Sequence, residues 1–151
     1  MTTKFWLGIL LGASSLIGLI LTALVLFAVL KICIYERRNP VYIMSASNLL
    51  CDCVQLVLAV GYLAPSIILD SWFFDGGRYS VFVQIFTAVL LLCWDYCSIV
   101  QILIAINRLV VVCFSNVHFF SFKTVLIIVI LLWPIAALLV YLTQYGTPCC
   151  R

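Results

Sequence analysis

The sequence predicts an all-α integral membrane protein, a bundle of four transmembrane helices in a single domain over residues 1–151. Three observations predict it. Of the 151 residues, 67% are hydrophobic and 9% charged, where soluble domains carry about 45–50% and about 25%. So much apolar surface exceeds what a water-facing shell can hide. Four apolar runs reach the roughly 20 residues that a helix needs to cross a bilayer. The segments between them are short and carry turn signals.

The first span is expected at about 5–34, and Phe5 to Leu30 holds no charge. A cleaved signal has an apolar core of about 7–15 residues and a small-residue cleavage site. This run is longer and no such site follows it, so it reads as a retained span. The second span is expected at about 41–69, interrupted by Asp52, and the third at about 80–113, with Asp95 inside. The fourth is expected at about 122–143. Asn39-Pro40 and Gly76-Gly77 mark turns. Pro65 and Pro134 fall inside helical runs, where each is expected to kink or help end its helix. Trp72, Phe73 and Phe74 read as an interfacial aromatic belt.

Lys31, Arg37, Arg38, Arg108 and Lys123 lie at one side of the alternating spans, and Lys4, Arg78 and Arg151 at the other. Five against three favours the first side as cytoplasmic. Both termini then face outside, and the expected location is the plasma membrane. The net charge of +3 is scattered, with no basic block, which disfavours nucleic acid. The eight cysteines fit small packing residues better than a metal framework. The single histidine, His118, is far from the C-x-C of Cys51 and Cys53. No metal, cofactor or confident disulfide is expected. An enzyme is the least favoured class, because no nucleophile–base pair or metal triad is in view.

Polar residues inside the spans are the candidate functional groups, since a charge in lipid is costly and usually kept for a reason. Asp52 lies 11 residues past Val41 and Asp95 lies 13 before Arg108. At 1.5 Å per residue these depths are roughly 16 and 20 Å. Asn48 stands one turn before Asp52, and Ser98 three residues after Asp95. A mid-depth cluster of Asn48, Asp52, Asp95 and Ser98 is therefore expected. It reads either as a switch or ion site or as a hydrogen-bonded packing network. Composition alone makes Arg108 an ordinary anchor at the cytoplasmic edge.

The stretch "LIAINRLVVVCF", then "FFSFKT" and Trp133, resembles the region joining the third and fourth helices of seven-helix G protein-coupled receptors. It is most similar to the nematode serpentine chemoreceptors of class x, Srx. Asn107, Arg108 and Leu109 match that family's triplet, which replaces the acidic-Arg-Tyr of rhodopsin-like receptors. Ser115 stands where a proline is common in the second intracellular loop, and "TPCCR" is similar to the start of an extracellular loop. "SNLLCD" places Asp52 like the intramembrane aspartate of rhodopsin-like receptors. The resemblance implies a partial seven-helix receptor fold, with the N-terminus outside. It implies a small-molecule chemical ligand and a heterotrimeric G protein as partners, with Arg108 at the floor of the G-protein cleft.

Three departures qualify it. Asn107 cannot form a carboxylate lock on Arg108. Val83 occupies the place of the receptor disulfide cysteine, and Leu90 that of the amine-binding acid. Helices 5 to 7 have no counterpart in these residues, so the expected product is an N-terminal fragment or truncated form. The alternatives are a structural four-span protein or a small cation or proton transporter subunit. The tetraspanin, claudin and MARVEL types of four-span protein keep both termini inside. A transporter would use Asp52 and Asp95 as a relay.

Overall fold

The computed structural model describes residues 2–35, 41–71, 74, 77–114 and 122–146. Every regular element among them is helical. Helix α1 is Thr2–Tyr35 and α2 is Val41–Leu69. A short 3₁₀ turn, Gly77–Tyr79, leads into α3, Val81–Phe114. Helix α4 is Phe122–Tyr141 and runs into a π turn, Leu142–Gly146. All four are long and apolar enough to cross a membrane. The expected boundaries agree to within a few residues. Arg37, Arg38, Asn39, Pro40, Trp72, Phe73, Gly76, Ser115, His118, Cys149, Cys150 and Arg151 lie outside the described residues.

The helices alternate in direction because each connection is short. Among the described residues helix α1 packs mainly on α2, α2 on both α1 and α3, and α4 on α3 with a smaller contact to α2. The core lies between α2, α3 and α4. It holds Met44 and Cys51 from α2, and Cys93, Tyr96, Cys97 and Val100 from α3. Helix α4 adds Val125, Leu132 and Ala136. Most other large apolar side chains are exposed, as lipid-facing side chains are.

Lipid gives two apolar helices no hydrophobic reason to associate, so close backbone approach has to supply the contact. Gly8 and Gly12 provide it on α1. A Cβ on Gly8 would lie 2.6 Å from Ile68 Cγ1 and 3.3 Å from Ala64 O. One on Gly12 would lie 3.3 Å from the Ala64 Cβ. Buried Ser15 continues the same face. At the end of this contact Lys4 Nζ meets Asp70 Oδ1 and Oδ2 at 2.9 and 3.0 Å. Both side chains are exposed, so the pair fixes which ends meet more than it stabilises.

The two intrahelical prolines are accommodated differently. Pro65 brings no N–H, and its ring crowds the carbonyl four residues back. The chain answers with a π turn at Ala59–Leu63, where the Ala64 N–H reaches back to Ala59 O. The helix then resumes over Ala64–Leu69 and stops at Asp70, whose φ of 49° is left-handed. Aspartate tolerates that conformation better than most residues. Pro134 lies inside α4 without ending it. Phe74 departs from the expected belt: it packs inward, stacked on Tyr62 and Phe82.

Gly8→Leu should destabilise the protein by about 1–3 kcal/mol, the usual effect of overpacking. Gly61→Ala should not, because a Cβ at Gly61 meets nothing within 4 Å. Thermal unfolding of the two variants in detergent checks this; equal loss in both would contradict the packing described.

Candidate functional site

The middle of the bundle is tied by polar groups on α2 and α3. The Ser47 and Tyr96 hydroxyls share a hydrogen bond between the two helices. The Tyr96 ring is fully buried and stacks on Trp133 of α4, with centroids 4.5 Å apart and planes at 27°. One tyrosine thus touches three helices. It joins a polar tip to an apolar body, as buried tyrosines do.

Beside it, Asn48 Nδ2 donates to Asp52 Oδ2 at 3.2 Å. The Cys97 thiol lies 3.8 Å from both Asp52 Oδ1 and Asn48 O. A thiol has one proton and is a weak donor, and both acceptors lie within its reach. Asn48 Oδ1 is buried with no hydrogen-bond partner among the described residues. Cys51, Cys93 and Cys97 pack in the same core as free thiols. Among the described residues no group of His, Cys, Asp and Glu is arranged to hold a metal ion.

Of the four expected cluster residues, Asn48 and Asp52 are brought together. Asp95 and Ser98 stand elsewhere on α3. Asp95 and Cys97 are two positions apart, about 200° around a helix. Cys97 faces Asp52, so Asp95 points away from it at nearly the same height. Asp95 is half-buried and has no hydrogen bond or ion pair among the described residues. Ser98 is exposed and donates to the Trp94 carbonyl at 2.9 Å. Asp95 and Ser98 belong to a polar stripe that also takes in Gln84, Thr87 and Gln101, all exposed. The helix repeat puts these five residues along one side of α3. The other side carries the buried Cys93, Tyr96, Cys97 and Val100.

At the far end of α3, Asn107 is buried at 4% exposure. Its neighbours Arg108 and Leu109 are exposed. Helix α3 continues past them to Phe114. No carboxylate pairs with Arg108 among the described residues. The triplet therefore splits by phase: Asn107 turns toward the bundle, and Arg108 and Leu109 turn out of it.

Residues 13–151 match the family of serpentine type seven-helix G protein-coupled chemoreceptors, Srx. The chain belongs to this family. No curated protein and no solved structure matches it. It is accordingly a serpentine chemoreceptor-like, multi-pass membrane protein, of a class of receptors and not of enzymes. The match begins within α1 and takes in α2, α3 and α4, so the mid-bundle clasp and the Asn-Arg-Leu triplet both lie inside it.

Sequence reasoning passed over Ser47, Tyr96 and Cys97. The spacing of Cys93, Tyr96, Cys97 and Val100 marks one face of α3 and is the signal that finds Tyr96 and Cys97; nothing in the spacing singles out Ser47 on α2. Tyr96→Phe should lower stability by roughly 0.5–1.5 kcal/mol through the lost hydrogen bond. Trp133→Ala should lower it by more, since it strips the ring from Tyr96. Detergent unfolding of both, with Ser47→Ala in a double-mutant cycle, measures the coupling; additive Ser47 and Tyr96 effects would contradict the clasp.

Proposed function

We propose that the protein acts as a plasma-membrane chemoreceptor with its N-terminus outside. Binding of a small chemical would be converted into engagement of a heterotrimeric G protein at the Arg108 end of α3. The observation that carries this reading is the state of Arg108, an exposed cation beside a buried asparagine, with no acid holding it among the described residues. Lys31 and Lys123 belong to the same end, and an excess of basic residues marks the cytoplasmic side. A guanidinium there is available to carbonyls and carboxylates of a docked partner.

The two faces of α3 support a switch. One face is held by Tyr96 and Cys97 against α2 and α4. The other carries Gln84, Thr87, Asp95, Ser98 and Gln101; Thr87 and Ser98 donate to carbonyls of their own helix, and the Asp95 carboxylate is the group that hydrocarbon does not satisfy. Further helices of a seven-helix bundle would cover that stripe and could shift against it. A ligand that favours one arrangement would then shift the population at the inner end. Asn107 supplies no carboxylate lock, so the resting state depends on those other contacts.

The test is a cell assay of G-protein activation against a panel of small chemicals, with a tag at the N-terminus. Arg108→Ala should abolish the response at unchanged surface amount, and Arg108→Lys should keep part of it. An undiminished response in Arg108→Ala, or a tag that antibody cannot reach on intact cells, would overturn the reading.

A further inference from the structure

Asp95 stands at the middle of its span. It lies 14 residues after Val81 and 15 before Val110, the ends of the apolar stretch of α3. At 1.5 Å per residue each end is roughly 20 Å away, and the hydrocarbon core is about 30 Å thick. An aspartate side chain is too short to reach water from that depth, unlike the long stem of a lysine. The carboxylate therefore needs a partner inside the membrane.

Helix α3 does not supply one. Residues three and four positions away share a helix face, and here they are Leu91, Leu92, Ser98 and Ile99. Ser98 is the polar one, and its hydroxyl donates to the Trp94 carbonyl at 2.9 Å. Asp95 has no hydrogen bond or ion pair among the described residues. The sequence holds no cation at that depth either. All eight lysines and arginines lie between spans, beyond the last one, or within two residues of a span end. A second copy of the chain therefore cannot supply the partner, and neither can lipid tails. The surrounding side chains suit a packed helix. Trp94 is 66% exposed and Ile102 59%, and they offer apolar contact before and after the carboxylate along the axis. Gln101, also exposed, offers an amide six residues toward the C-terminal end of α3, roughly 9 Å away.

We propose that the polar side of α3 docks a further helix of the seven-helix bundle, one that carries a lysine or arginine at mid-depth and pairs it with Asp95. The depth of the carboxylate sets the depth of the cation, and its sign sets the partner's charge. The occupant is a receptor helix because the chain matches a seven-helix family, while four spans are found among the described residues. This pairing deepens the receptor reading and rests on it for the identity of the helix. Its chemistry rests on Asp95.

The probe is a synthetic membrane-spanning leucine peptide with one lysine at its centre and a fluorophore at one end. The chain, with an acceptor dye at its N-terminus, is placed with it in phosphatidylcholine vesicles, and energy transfer reports association. The lysine peptide should associate more tightly than an all-leucine peptide or one whose lysine sits two turns from the centre. Asp95→Asn should weaken association by roughly tenfold or more, the scale of losing one partner of a buried charge pair. Asp95→Lys should reverse the preference and take a peptide whose central residue is aspartate, which a misfolded variant would not do. Equal association of the lysine and all-leucine peptides would overturn the pairing. So would Asp95→Asn binding like the parent, an unreversed preference in Asp95→Lys, or copies of the chain associating through Asp95 in preference to the peptide. No chemical ligand or G protein enters this measurement, so the pairing and the receptor reading can fail separately.

Discussion

The seam between α2 and α3 is the contact on which the rest of the bundle depends. Apolar side chains gain nothing by leaving lipid for one another, so polar groups and close packing must choose the neighbours. At this seam Ser47 meets Tyr96, and Cys97 meets Asp52 and Asn48. Separating the helices would strip Ser47, Tyr96 and Cys97 of these partners in hydrocarbon, while Asn48 and Asp52 would keep only each other. Trp133 extends the constraint to α4 by stacking on the same tyrosine. Helix α1 is attached by different means, through the backbone approach at Gly8 and Gly12.

Once that seam is fixed, the phase of α3 is fixed with it. Turning Tyr96 and Cys97 to the core sends Asp95, Ser98 and Gln101 to the other side at the same depths. The same phase buries Asn107 and exposes Arg108 near the C-terminal end of α3. A helix held on one side and polar on the other is suited to moving against a second set of neighbours. Under the receptor reading proposed above, this division of α3 would give transmission across the membrane a physical route.

The four spans were legible because each is a long apolar run, and hydropathy over roughly 20 residues is a strong signal in a chain this short of charge. The Asn-Arg-Leu triplet and Trp133 were legible as a pattern. The direction in which each side chain points was not. In a soluble helix the polar face marks the outside, whereas here lipid and core are both apolar. Ile102 and Val100 differ little in hydropathy, yet one is exposed and the other buried. The depths of Asp52 and Asp95 could therefore be matched while their opposite facing could not. The π turn before Pro65 was likewise hidden, because a proline in an apolar run signals disturbance and not how the backbone absorbs it. The Gly8 and Gly12 spacing was present in the sequence and carries a known mechanism.

That further helices cover the polar side of α3, which the four described spans leave exposed, is the proposal that joins fold to function. It is tested by placing a nitroxide at Ser98→Cys in a background without other reactive cysteines, and comparing it with one at Leu10→Cys on the lipid face of α1. Power-saturation measurements in native membranes then report collision with dissolved oxygen. The account predicts low oxygen accessibility at position 98 and high accessibility at position 10. Equal and high accessibility at the two positions would contradict it, because a stripe of Gln84, Thr87, Asp95 and Gln101 would then be facing open lipid.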